Sequence, residues 1–229
     1  MRIDILTLFP KMFEGVLGES IIKRAQNKGK VSIKVHNLRD WSKEKHKKVD
    51  DKPFGGGPGM VIKPQPLFDA IDDLKSSSSR IILLTPQGKT LNQAVARKLS
   101  KFKHLILVCG HYEGIDERFR KKAVAEEISL GDFILTGGEI PAIALIDCIV
   151  RLIPGVVGDK SSLEFESFTS GLLEYPQYTR PALYRRLKVP EILLSGDHKR
   201  IEQWRKAMAL KKTRRKRPDM FIRYNDKER

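Results

Sequence analysis

The sequence is short of cysteine, of long apolar runs and of the two commonest nucleotide fingerprints, and each shortage removes a class of protein. Among 229 residues only Cys109 and Cys148 are cysteines, both inside apolar runs, which reads as buried free thiols and not as a disulfide framework. His36, His46, His104, His111 and His198 show no metal-ligand spacing with them, so the residues predict no metal site. No apolar run approaches the ~20 residues of a membrane span, and Asp4 places an acid where a secretory h-region would begin. With 40% apolar and 31% charged residues, the chain fits a cytoplasmic enzyme or binding protein with a substantial core and no membrane partner. A G-x-x-x-x-G-K-[ST] motif is absent, which disfavours a P-loop nucleotidase. No G-x-G-x-x-G follows the first strand, so the ordinary dinucleotide fingerprint is missing too.

Acidic residues are also scarce, and unevenly so. The net charge is +16, yet Lys23 to Lys48 holds ten basic and two acidic residues and Lys199 to Arg229 holds thirteen and four. The rest of the chain is close to neutral. Lys211-Lys212-Thr213-Arg214-Arg215-Lys216-Arg217 is more one-sided than solubility requires, since mixed charges serve that better. Phosphate binding is its natural use; a solvated tail with no partner is the alternative.

Strand and helix patterns alternate over the first 150 or so residues. Ile3 to Phe9 is an apolar first strand, and Val31, Ile33 and Val35 alternate with polar neighbours as a second. A helix follows Pro64-Gln65-Pro66, with Leu67, Ile71 and Leu74 on one face. Next come a strand at Ile81 to Leu84, a helix around Gln93 to Leu99 and a strand at Leu105 to Cys109. Ile140 to Ile153 reads as a buried helix with Pro141 in its first turn, stopped by Pro154-Gly155. This alternation predicts an α/β fold with a mainly parallel sheet covered on both faces. After Gly158 the composition changes: residues 159–173 read as a linker, and 174–229 as a basic helical domain with Ile201, Trp204 and Met208 at helical spacing.

Two glycine-bearing turns carry the most information. Cys109-Gly110-His111-Tyr112-Glu113-Gly114 and Leu130-Gly131-Asp132-Phe133-Ile134-Leu135-Thr136-Gly137-Gly138 each adjoin an apolar run that reads as a buried strand, and Glu139-Ile140-Pro141-Ala142 starts a helix behind the second. Glycine lets main-chain groups come close to a flat ligand, and strand ends are where open α/β sheets bind ligands. Either turn alone is equally an ordinary turn. Gly55-Gly56-Gly57-Pro58-Gly59-Met60 is balanced between a functional loop and slack, because it lacks the lysine and hydroxyl of a phosphate cradle.

Four long stretches then resemble one family. Asp50-Asp51-Lys52-Pro53-Phe54-Gly55-Gly56-Gly57-Pro58-Gly59-Met60, Leu107 to Arg118, Gly131 to Glu139 and Tyr178-Thr179-Arg180-Pro181, in that order, resemble the bacterial tRNA (guanine-N1)-methyltransferases of the TrmD type. The similarity runs from Leu8-Phe9-Pro10 through Leu194-Ser195-Gly196 to Trp204. It implies a SPOUT-type parallel sheet with a trefoil knot in the C-terminal half of the main domain, a feature that no pattern predicts. It also implies a homodimer whose sites are shared between subunits, and S-adenosylmethionine in a pocket made by Leu83 to Gln87, Val108 to Gly114 and Ser129 to Pro141. The cofactor residues so implied are Leu83, Leu84, Thr85, Pro86, Gly110, Tyr112, Glu113, Gly114, Leu130, Gly131, Asp132, Phe133, Ile134, Leu135, Gly137, Gly138 and Pro141. Magnesium is a further family expectation without a ligand cluster to support it.

The implied substrate is the guanosine immediately 3′ of the tRNA anticodon, the basic C-terminal helices holding the anticodon arm. Asp50, Gly59 and Arg180 would lie along the RNA. Methylating N1 requires loss of its proton, which a carboxylate can take as general base, while a guanidinium stabilises the charge that develops at O6. Arg151 matches the family's arginine. The family's linker aspartate is replaced here by Glu166, one methylene longer, with Glu164 and Glu174 as competing carboxylates. His198 falls within a small-domain motif or is only a surface residue. A SPOUT methyltransferase for another RNA site and a silent RNA-binding protein remain alternatives; intact Gly110, Gly137 and Gly138 argue against the latter.

Overall fold

Ile3 and Ile5 of the first strand face one side of the sheet and Leu6 the other, and the same period of two recurs in the neighbouring strands. Leu105, Leu107 and Cys109 join Ile3 and Ile5, as do Ile82 and Leu84; Ile106, Val108, Ile81 and Leu83 face the opposite side with Leu6. Such strands must be covered on both faces, which is what parallel pairing with crossover helices provides. The computed structural model describes residues 1–158 and 166–228 and divides the chain into two compact units, Met1–Gly158 and Asp159–Arg229.

In the first unit the strands are β1 (Arg2–Thr7), β2 (Ser32–Asn37), the short β3 (Asp50–Asp51) and β4 (Val61–Ile62), β5 (Ser79–Thr90), β6 (His104–Cys109) and β7 (Glu126–Ser129). The helices are α1 (Glu14–Leu17), α2 (Ser20–Asn27), α3 (Pro64–Leu74), α4 (Gln93–Leu99), α5 (Glu117–Ala123) and α6 (Glu139–Val150). Five strands form one sheet in the order β2-β1-β6-β5-β7, every pairing parallel. Side chains from α2, α4 and α6 fill one face; α3, α5 and Leu38 fill the other. α6 is apolar nearly all round, with Ala142, Leu145, Ile146, Ile149 and Val150 fully buried.

Three of the five strands are also tied by a buried carboxylate. Asp4 of β1 is wholly buried; its Oδ1 lies 2.7 Å from His36 Nε2 of β2, and its Oδ2 lies 2.7 Å from His104 Nε2 of β6 and 2.6 Å from Arg2 Nε. His104 Nδ1 in turn meets Ser79 Oγ of β5 at 2.7 Å. Burial alone would raise the Asp4 carboxyl, but the hydrogen bonds from His36, Arg2 and His104 and the charge of Arg2 outweigh it and hold the group down to about 2. The histidines that show no metal spacing thus have a structural use in two cases.

The strand predicted at Ile81 to Leu84 is longer in the structure, because β5 continues to Thr90 and pairs with β7 a second time after a register shift between Leu84 and Lys89. A Cβ at Gly88 would sit 2.3 Å from Ile128 N, so glycine permits the second approach. β7 and α5 escape the periodicity because they are charged. Glu126 pairs with Arg80 and Lys98, and Glu127 with Arg120. Cys109 is buried as predicted, whereas Cys148 is only half-buried.

The second unit holds α7 (His198–Lys216), capped by Asp197 accepting from Arg200 N–H, α8 (Pro218–Glu228) and a hairpin of β8 (Leu183–Tyr184) and β9 (Leu187–Lys188). Its small core gathers Leu172, Ala209, Met220 and the fully buried Thr213, whose hydroxyl donates to Ala209 O and accepts from Leu173 N–H. Among the described residues no helix is long and apolar enough to cross a membrane.

Asp4→Asn should cost roughly 2 to 3 kcal/mol, because it leaves two imidazoles competing for one acceptor. Since the folded-state carboxyl is depressed, its stabilisation is present above the unfolded value of 3.8 and is lost as pH falls through about 2. Urea midpoints of wild type and variant should therefore differ at pH 6 and converge towards pH 2; a constant gap would refute this.

Candidate active site

β6 ends at Cys109 and β7 at Ser129, and the chain beyond each is a glycine turn. These two turns meet. Gly138 N–H donates to Gly110 O at 2.8 Å, and His111 and Gly137 form an isolated antiparallel bridge. The approach is close enough that a Cβ on Gly138 would stand 2.7 Å from Cys109 Cα and 2.9 Å from Gly110 N, both backbone atoms that cannot swing away. Behind them, Thr7 Oγ1 of β1 donates to the buried Glu139 carboxylate at 2.7 Å, fixing the first turn of α6 to the end of β1. Burial, with Glu139 beside it, pushes the Cys109 thiol well up and favours its protonated form.

The meeting turns frame an open pocket of about 500 Å³. Leu83, Leu84, Ile128 and Ser129 line it from β5 and β7, Thr85 and Pro86 from the bulge in β5, and Gly110 to Gly114, Leu130, Gly131 and Phe133 to Gly138 from the turns. Every residue expected around the cofactor lines it except Asp132, which is exposed on the second turn. Tyr112 adopts a left-handed φ of 58° and Gly114 one of 135°, so the first turn curls tightly around the pocket edge. The imidazole of His111 lies between Phe9 and Tyr112, ring centroids 4.8 and 4.9 Å away. Its Nδ1 is buried and has no partner among the described residues.

Four lining residues fall outside the expected loops, Ile115, Glu117, Arg120 and Ile128, while Gln87, His111, Ser129 and Thr136 lie within those loops without having been singled out. Glu117 and Arg120 had a legible signal, being charged neighbours one helical turn apart directly behind the Asp116 cap. Arg120 donates to Glu127 at 2.8 Å and to Glu117 at 3.3 Å, so it closes the pocket as part of an ion-pair chain.

The glycine loop of residues 55–60 sits against the first turn. Glu113 N–H donates to Met60 O and Ile62 N–H to Gly114 O, each at 3.0 Å, and Asp116 N–H returns a bond to Ile62 O. A Cβ on Gly59, at φ 80°, would lie 2.3 Å from Glu113 Oε1. Gly59 is thus beside the pocket and Asp50 is on β3 below it in sequence, neither lining it. Arg151 caps the C-terminus of α6 and lies outside the lining. Glu166, half-buried, and exposed Arg180 belong to the second unit, and His198 opens α7 there. Glu174 N–H is held by Ser167 Oγ at 3.0 Å; Glu164 lies outside the described residues.

The family model described as tRNA (Guanine-1)-methyltransferase TrmD matches residues 1–223. The chain belongs to the TrmD family. A relative from Dictyoglomus turgidum is 58% identical over 221 residues, covering 96% of this chain and 90% of its own. Others from Bacillus subtilis (56% over 224 residues, 96% and 92%) and Staphylococcus epidermidis (55% over 225 residues, 98% and 92%) agree. Each of these relatives is named tRNA (guanine-N(1)-)-methyltransferase. Membership of the TrmD family therefore spans both compact units and both glycine turns.

Gly138→Ala should lower stability by about 1 to 3 kcal/mol through overpacking against immovable backbone. Gly15→Ala, where nothing lies within 4 Å, should be neutral or slightly stabilising. Thermal melts of the two variants separate the outcomes, and equal melting temperatures would refute the close approach.

Proposed function

We propose that this TrmD-family chain transfers a methyl group to N1 of a tRNA guanosine, the one immediately 3′ of the anticodon, with S-adenosylmethionine as donor. The activity is the one its relatives are named for. The observation that carries the cofactor reading is the pocket walled by backbone of two meeting glycine turns. About 500 Å³ lies within the range of small-ligand sites. Gly137 and Gly138 keep side chains out of its wall, the buried His111 Nδ1 offers an unused polar atom, and Leu83, Leu84 and Ile128 supply an apolar floor. These features fit a nucleoside bearing a sulfonium side chain. When bound, S-adenosylmethionine supplies an electrophilic methyl group; everything else falls to the protein.

Glu166 takes the N1 proton, freeing the lone pair that attacks the methyl carbon. Charge shifts toward O6 as this happens, and Arg151, charged at any working pH, stabilises it. A glutamate in place of aspartate reaches one methylene further along a segment anchored, on its far side, by Leu173 and Glu174 to Thr213, Ser167 and Lys212. Asp50, Gly59 and Arg180 contact the RNA. The basic second unit, residues 174–229, grips the anticodon arm through phosphates, and residues 159–173 link it to the catalytic unit. Among the described residues no group of three or more His, Cys, Asp or Glu is placed to hold a metal ion.

The second crossing of β5 past β7, followed by the docking of Gly138 on Gly110, supports a SPOUT-type trefoil knot in this half of the unit. Exposed apolar side chains at Met12, Val16, Phe133, Ile134 and Ile140 support a homodimer, because burying them against a second copy would remove apolar area from water. Sedimentation should give twice the chain mass, and Ile134→Asp should shift it toward monomer.

Glu166→Gln should reduce turnover by at least about a hundredfold while calorimetry with S-adenosylmethionine stays within about twofold of wild type. Full activity in that variant would transfer the role to Glu164, Glu174 or a water-mediated route. Mass mapping of a tRNA transcript after reaction reports nucleoside and position together, and methylation at any other position would overturn the substrate.

A further inference from the structure

The second unit contains a hollow of its own, about 390 Å³, that the methyl-transfer chemistry does not use. Tyr175, Tyr178, Leu194 and Ile201 give it aromatic and aliphatic walls, and Arg180 and Arg205 stand among them. The Arg205 guanidinium carbon lies 4.9 Å from the centroid of the Tyr175 ring, and the Tyr178 ring lies 6.4 Å from that of Trp204 on α7. Tyr178 is 48% exposed and Leu194 62%, so apolar faces are turned to solvent at the rim. Exposed rings beside guanidinium groups are the equipment of single-strand RNA sites, where every base offers a π-face and every linkage a phosphate. The surrounding charge is one-sided, with thirteen basic and four acidic side chains in residues 199–229. That balance favours a polyanion.

We propose that the hollow lined by Tyr175, Tyr178 and Arg205 is a stacking site for one unpaired base of single-stranded RNA, with Arg180 and Arg205 on the flanking phosphates. The inference rests on the reading of the substrate as RNA and adds a second nucleotide site, separate from the pocket for methyl transfer. It makes the second unit more than a phosphate clamp, because a base held by its face fixes the position of a loop and not only its charge. Stacking is tolerant of base identity, so the site orients without reading sequence.

The test uses the full chain and a short single-stranded RNA carrying 2-aminopurine, whose fluorescence is quenched on stacking. Wild type should quench it. Tyr178→Ala should raise Kd about tenfold and abolish most of the quench, whereas Tyr178→Phe, which keeps the ring, should stay within about twofold. Leu194→Asp, at an exposed position that tolerates a polar side chain, should also weaken binding by placing a carboxylate at the mouth. Unchanged quench in both Tyr178→Ala and Leu194→Asp would overturn the proposal, as would an equal loss in Tyr178→Phe. Methyl transfer to tRNA by wild type is assayed in parallel: its absence would defeat the activity reading, while the quench still decides the stacking site.

Discussion

The arrangement of the first unit depends on one approach of backbone to backbone, where Gly138 rests on Cys109 and Gly110. At 2.8 Å the amide of Gly138 donates to Gly110, and no side chain fits between them. Without that contact the two turns would be separate loops at the ends of separate strands. With it they share a wall, and the space enclosed is a pocket lined by main chain and small or apolar residues. Thr7 and Glu139 reinforce the contact from behind, a buried hydrogen bond that ties α6 to β1 across the sheet. An unpaired carboxylate at that depth would carry a heavy desolvation penalty, so the pair also fixes where α6 begins.

A second buried carboxylate organises the opposite end of the same strands. Asp4 gathers His36, His104 and Arg2, and through His104 reaches Ser79, so that β2, β1, β6 and β5 are linked by side chains as well as by their ladders. The sheet is therefore braced by polar groups near both ends of β1, with apolar side chains between. The basic residues of Lys23–Lys48 and of residues 199–229 contribute none of the fully buried side chains of the apolar core.

Chemistry is distributed in the same way. The cofactor half of the proposed reaction belongs to backbone geometry in the first unit, and the acid–base half belongs to two charged side chains, Arg151 at the end of α6 and Glu166 in the second unit. Only the proposed reaction brings these together, and Glu166 is the carboxylate that the proposal asks to act as its base. The second unit adds exposed aromatics among arginines, a composition that suits unpaired RNA.

What the sequence determined by itself is the alternation of strands and helices, the location of α3, α4 and α6, and the glycine motifs, because period-two and period-3.6 patterns and missing side chains are local properties. It also determined the charge distribution and, through long ordered motifs, the family. Charged elements escaped it: β7 and α5 are held by Arg80, Lys98 and Arg120 paired with glutamates, which no hydrophobic period reveals. So did the continuation of β5 past Pro86, since a bulge and a second pairing with β7 are set by a partner strand distant in sequence. The tertiary structure alone decided that the two glycine turns touch, that Glu117 and Arg120 join them, and that Gly59 packs on Glu113. Those are distances between segments far apart in the chain, and only packing sets them.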